Sequence, residues 1–75
     1  MQIIIKTLYD KSFLLNILEN ESILSIKNKI FVKEGIPVDE QFLIYNNTHL
    51  EDERTIYDYK IENNAVIYLI LKQKK

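Results

Sequence analysis

Apolar and polar residues alternate from the first position of the chain. Over residues 1–7, Met1, Ile3 and Ile5 fall on one face and Gln2, Ile4 and Lys6 on the other, the two-residue period of a half-buried strand. Residues 12–17 repeat the pattern, with Phe13, Leu15 and Ile17 inward and Ser12, Leu14 and Asn16 outward. Leu8-Tyr9-Asp10-Lys11 between them reads as a hairpin turn. The period then changes. Ser22 can cap a helix through its hydroxyl, and Ile23, Ile26 and Ile30, at spacings of three and four, form the buried stripe. Gly35 supplies the positive φ that ends this helix, and Pro37 forbids its resumption. Beyond Pro37, residues 41–45 predict a strand with Leu43 inward, and Asn46-Asn47 a tight turn, because Asn reaches positive φ more readily than most residues. A short strand containing Leu50 follows, then a turn through residues 56–59. The last strand runs from Val66 to about Lys72, with Ile67 and Leu69 inward. The order is ββαβββ, an α+β arrangement with one helix laid across one face of a sheet.

With 75 residues there is room for one domain over 1–75, its folded core ending near residue 71 and a basic tail occupying 72–75. A chain of this length buries only about 60–65% of its unfolded surface, so the core must be efficient. No Cys is present and His49 is the only His, so neither a disulfide nor a multi-histidine metal site can staple the fold. A reducing compartment is therefore permitted. No run approaches the ~18 apolar residues of a membrane span, and the N-terminus lacks a leader pattern. The expected location is the cytosol or nucleus. Ten Lys and Arg against eleven Asp and Glu leave a net charge of -1. No global field favours nucleic acid or a membrane, and neither is expected as a partner. The tail Lys72-Gln73-Lys74-Lys75 is the local exception, and reads as a solvated end that keeps an edge strand soluble.

Catalytic chemistry finds little support. Gly35 is the sole Gly, which removes glycine-rich phosphate loops, and a lone His without Cys forms no recognisable triad. His49 could ligate a metal with Asp39 or Glu51, but a surface His on a short strand is the better reading. Glu51-Asp52-Glu53 reads as a solvated acidic run in a loop. The expectation is a non-enzymatic protein with no catalytic residues, metal or cofactor.

Several groups of residues carry a family resemblance without a gap from Met1 to about Leu71. They are Met1-Gln2-Ile3 with Lys6-Thr7-Leu8, then Lys27, Lys29 and Ile30, then Lys33-Glu34-Gly35-Ile36-Pro37, Leu50-Glu51-Asp52, and Arg54-Thr55 with Asp58-Tyr59. The chain resembles the ubiquitin family. That resemblance implies a β-grasp fold with a mixed sheet whose first and last strands lie parallel, a pairing that alternation alone does not determine. It also implies that Asp10 takes a left-handed position where the family usually has Gly, at a cost in free energy.

The resemblance further implies a protein-binding surface on the outer face of the sheet, at Leu8, Ile44, Tyr68 and Ile70. Tyr68 replaces the family's usual His, and Phe42 its usual Arg. By alternation Phe42 and Ile44 share the face opposite Leu43, and Tyr68 and Ile70 the face opposite Ile67 and Leu69. His49 and Lys72 complete the candidate set. Receptors that present a carboxylate to the Arg would leave it unpaired against Phe42, so specificity is expected to change. Two secondary apolar patches stand out: Ile4 and Leu14 beside Val66, and Leu24 with Phe31 along the helix. They point to private partners or weak self-association.

Ubiquitin-type conjugation activates a terminal Gly. The chain as given ends in Lys75, and Lys72 stands where the family has Arg, keeping the charge but losing the planar fork, so it is not expected to be a donor. Lys6, Lys11, Lys27, Lys29 and Lys33 match the family's acceptor lysines, whereas Thr48 and Asn63 replace the two most used. The expected function is docking on proteins of the ubiquitin system, such as receptors, ligases or proteasome components. The alternatives are a covalent modifier whose glycines lie past residue 75, and a self-associating structural subunit.

Overall fold

The structure, a computed structural model, describes residues 1–9 and 11–72. Strand β1 (Gln2–Thr7) pairs antiparallel with β2 (Ser12–Asn16), Ile3 opposite Leu15 and Ile5 opposite Phe13. Helix α1 (Ile23–Glu34) follows, then β3 (Gln41–Tyr45), β4 (Thr48–His49) and β5 (Val66–Leu71). Strand β5 lies parallel to β1 and antiparallel to β3, giving the order β2-β1-β5-β3-β4. This is the expected α+β grasp with a mixed sheet and one helix across it.

The inward residues of the alternating segments reach the core, with the exceptions of Met1 and Phe13. Ile3, Ile5, Leu43 and Ile67 are fully buried, and Leu69 and Leu15 nearly so, facing the stripe of Ile23, Ile26 and Ile30 on α1. Met1 precedes β1 and stays partly exposed, while Phe13 on the edge strand is half-buried. The Ser22 hydroxyl accepts from the Ser25 N–H at 3.1 Å, so the cap forms as expected. Gly35 has φ 74° and donates to the Phe31 carbonyl at 2.8 Å. Nothing lies within 4 Å of where its Cβ would stand, so glycine serves the left-handed backbone here rather than a close approach. Asn46 and Asn47 both have positive φ, 53° and 63°, the primed turn that matches strand twist.

Several expectations need correction. The strand after the Asn turn contains only Thr48 and His49. Leu50 lies just past it, fully buried, with its N–H on the Leu43 carbonyl at 2.8 Å, because the chain must dive from the sheet to bury that side chain. The last strand ends at Leu71, and the Lys72 N–H donates to the Glu40 carbonyl. Glu51-Asp52-Glu53 is not a plain solvated run. Asp52 pairs with Lys27 and Glu51 with Arg54, and the carbonyls of Asp52 and Arg54 accept from the Leu24 and Ile23 N–H groups. That loop therefore satisfies helix-start donors that α1 leaves open. The left-handed expectation for Asp10, and the reading of the tail at Gln73, Lys74 and Lys75, fall outside the described residues.

Candidate functional surface

Register assembles the outer sheet face. Phe42 stands opposite Ile70, and Ile44 opposite both Tyr68 on β5 and His49 on β4. Directly opposed residues share a face, so Phe42, Ile44, His49, Tyr68 and Ile70 meet as a group, as the sequence predicts. Tyr68 is 48% exposed, Phe42, Ile44 and Ile70 are half-buried, and Leu8, on the turn after β1, is 70% exposed. His49 and Lys72 flank Phe42. The His49 ring meets it edge-on with centroids 4.9 Å apart, and Lys72 Nζ sits 5.4 Å from the ring centroid. Phe42 thereby gains edge-to-face and cation–π contacts. Among the described residues, no group of three or more His, Cys, Asp or Glu is placed to hold a metal ion.

Ile4 stands opposite Leu14 on one side and Val66 on the other, so these three form a row across β2, β1 and β5. On the helix, Leu24 and Phe31 are both exposed, and Val32, which the periodicity did not single out, is more exposed still. Tyr9, Leu18 and Tyr57 are further exposed apolar side chains that the sequence reading missed. They lie in turns or at 3-10 segments, where no period marks a face.

The five acceptor-type lysines separate by environment. Lys6 is exposed with no ion pair among the described residues, and Lys33 lies over the Phe13 ring at 6.0 Å. Lys11 pairs with Glu34. Lys29 donates to the Asn16 carbonyl and the Glu21 carboxylate, each at 2.9 Å. Burial alone pushes the Glu21 carboxyl up, but hydrogen bonds from Lys29, Ser25 and the Leu18 N–H together outweigh it and hold the pKa below the usual range. Lys27 is the correction. It is buried, with Nζ 2.7 Å from Asp52 Oδ1, so its amine is withdrawn from an incoming acyl group. No local signal marks this, because a charged residue beside an apolar stripe is ordinarily solvent-directed. No helix of the described residues is long and apolar enough to cross a membrane.

A family model described as the ubiquitin family matches residues 3–74. AN1-type zinc finger protein 4 of Mus musculus is 38% identical over 74 residues, covering 99% of this chain but 10% of that protein. Ubiquitin-like protein 1 of Schizosaccharomyces pombe is 37% identical over 71 residues, covering 95% of this chain and 91% of that protein. NEDD8-like protein RUB3 of Arabidopsis thaliana has the same identity and coverage. The chain thus spans a tenth of the first relative and about nine-tenths of the other two.

Proposed function

The chain belongs to the ubiquitin family, and we propose that it is a non-enzymatic docking protein or domain of the ubiquitin system, working in the cytosol or nucleus. It binds partner proteins non-covalently through Leu8, Phe42, Ile44, Tyr68 and Ile70, flanked by His49 and Lys72. The observation that supports this reading is the outward apolar group on β3 and β5. Exposed aromatic and aliphatic side chains gain little from folding, and burying such a cluster against a partner is what drives many interfaces. Because the group lies within residues 8–72, the reading does not depend on where the chain ends.

Its test is Ile44→Ala, read by amide chemical shifts in a titration with a ubiquitin-receptor domain. Loss of this central side chain is expected to weaken binding by roughly 1–3 kcal/mol, about one to two decades in Kd, with the fold intact because Ile44 points away from the core. Unchanged affinity, with shifts confined to the helix around Leu24 and Phe31, would place docking on the other face.

A second reading is a covalent modifier whose activated glycine lies past residue 75. It draws support from the 91% coverage of Ubiquitin-like protein 1. Sequencing the reading frame beyond Lys75 decides between the two, and an immediate stop codon would exclude the modifier.

A further inference from the structure

We propose that the open edge of β2 is a self-pairing seam. Two copies of this chain meet antiparallel along residues 12–16, about a two-fold axis through Leu14, and join their five-stranded sheets edge to edge. This goes beyond the docking reading above and does not depend on it, because it uses backbone groups of β2 rather than side chains of β3 and β5.

Hydrogen-bond parity identifies the free groups. Strand β2 stands at one end of the sheet, with β1 on one side and no strand on the other. In an antiparallel pair, residues that exchange both bonds alternate with residues whose N–H and C=O groups point away from each other. The Thr7 N–H donates to the Lys11 carbonyl and the Ile17 N–H to the Met1 carbonyl, each at 2.8 Å, so the bonded pairs at the two ends of the ladder carry odd numbers. By the same alternation Ile3 with Leu15 and Ile5 with Phe13 are bonded pairs, whereas Ile4 with Leu14 is not. The Ile4 N–H agrees, donating to the Ala65 carbonyl at 2.9 Å, away from β2. The N–H and C=O groups of Ser12, Leu14 and Asn16 therefore point to the open edge. Among the described residues, those of Ser12 and Leu14 meet no partner there, and the Asn16 carbonyl accepts from Lys29 Nζ at 2.9 Å.

Three features fit this edge to a second copy. Proteins commonly protect an edge strand with a charge, a Pro or a bulge. Ser12-Phe13-Leu14-Leu15-Asn16 has neither charge nor Pro, and its register against β1 runs without a bulge. The free residues are also spaced symmetrically about Leu14. Pairing Leu14 with the Leu14 of the copy sets Ser12 against the copy's Asn16 and uses every free residue, whereas sliding the register leaves an end residue unpaired. The Asn16 carbonyl keeps a second lone pair beside its Lys29 bond, so it can still accept from the copy's Ser12 N–H. Finally, Leu14 is 54% exposed and stands in a row with Ile4 and Val66. The two-fold axis is perpendicular to the sheet, so both copies keep this row on the same side and Leu14 packs against its own equivalent. An extended peptide from another protein would pair with the edge but bring no second row.

Size sets the strength. Five residues make a seam about 17 Å long and one strand deep, short of the roughly 800 Å² per partner of stable complexes, so Kd is expected at roughly 0.1–1 mM. Charge adds a signature. On the helix side Lys11 and Lys29 pair with Glu34 and Glu21, whereas Lys33, over the Phe13 ring, has no ion pair among the described residues. The rotation brings both copies' Lys33 to the same side of the seam, so added salt should tighten the pair.

The test is sedimentation velocity of the whole chain from about 10 μM to about 2 mM, with amide hydrogen exchange at both ends of that range. Dimer is expected to appear above roughly 0.1 mM. At the upper concentration the amides of Ser12, Leu14 and Asn16 should exchange roughly three- to sevenfold more slowly by mass action. Those of Phe13 and Leu15, already bonded to β1, should keep their rates. Leu14→Lys sets like charges face to face at the axis, and Leu14→Pro removes the central donor at an edge position whose N–H points away from β1, where Pro is tolerated. Each should weaken dimerisation at least roughly tenfold with a native amide spectrum, while Leu14→Val should leave it within about threefold. A monomer throughout the range would overturn the proposal, as would slowing shared equally by odd and even positions of β2. Loosening by salt would overturn the uncharged seam. A dimer that survives Leu14→Lys and vanishes with Ile44→Ala would place self-association on β3 and β5 instead. None of these results touches the docking reading, which is judged by receptor binding, and Leu14→Lys should leave that affinity unchanged.

Discussion

Asp52→Ala and Lys27→Met divide an ion pair whose two ends sit in different surroundings. The Lys27 side chain is 8% exposed and that of Asp52 43%, with Nζ and Oδ1 2.7 Å apart. Removing Asp52 leaves an ammonium held between α1 and the loop without an anion. Breaking a buried pair from one side costs about 3–5 kcal/mol, and the partial exposure of this pair lowers the expectation to about 2–3 kcal/mol. Removing Lys27 is gentler. Met keeps an unbranched apolar stem in the same space, discards the desolvated charge, and leaves Asp52 facing water, so the expected cost is at most about 1 kcal/mol. At about 4–8 °C per kcal/mol for a domain of this size, a difference of about 1–3 kcal/mol should separate the two melting temperatures by roughly 4–24 °C, with Asp52→Ala the weaker. Urea titration and calorimetry at neutral pH measure both, and equal urea slopes confirm that the unfolded states match. A Lys27→Met variant less stable than Asp52→Ala would refute the reasoning, because the ammonium would then contribute more through its contacts than its burial costs. The same burial predicts that Lys27 is the slowest of the five acceptor-type lysines to react with an acylating reagent. Peptide mapping after limited acetylation reads that order, with Lys6 and Lys33 first.

Three further outcomes follow from the geometry. The folded pKa of Glu21 lies below its unfolded value, so its contribution to stability is complete above the unfolded carboxylate range near ~4.3 and is lost as pH falls through the lower folded value. Glu21→Gln should therefore flatten the acid limb of a stability profile below the unfolded carboxylate range, and an unaltered limb would contradict this. Asn63→Lys restores a family-type amine but removes the Oδ1 that accepts the Gln2 N–H at 2.8 Å. It should cost about 1 kcal/mol by thermal melt, and a neutral result would mean that water replaces the bond. Phe42→Arg should tighten binding to receptors that offer a carboxylate there, by severalfold in a calorimetric titration, and weaker binding would show that the ring itself is the contact.

Alternation made the core legible wherever it was regular. Ile3 and Ile5, Leu15 and Ile17, Leu43, Ile67 and Leu69, and the helical set Ile23, Ile26 and Ile30 are all assigned inward by local period and are all buried. Legibility stops where the backbone is irregular. Ile56 and Ile61 are buried in a turn-rich segment with no period, and nothing local marks them as core. The parallel pairing of β1 and β5 joins residues some sixty positions apart. It came from the family resemblance, because period-two patterns specify faces and not neighbours. Lys27 escaped for a related reason. A charged residue beside an apolar stripe is ordinarily solvent-directed, and only the acidic loop folding over the start of α1 supplies the counter-charge that lets it turn in.

The surface divides along the same line. That Phe42, Ile44, Tyr68 and Ile70 face outward was readable from parity, but the contact of His49 and Lys72 with the Phe42 ring depends on the two-residue Asn turn and on how far β5 runs past Ile70. Inward positions are constrained by packing, where one methylene alters stability. Outward positions are not, and side chains as exposed as Leu14 and Tyr68 return little folding energy for the aggregation risk they bring. A sheet whose inner face is closed by Ile and Leu would fold as well with polar residues outside. Apolar residues gathered there are therefore better explained by a partner that supplies apolar cover.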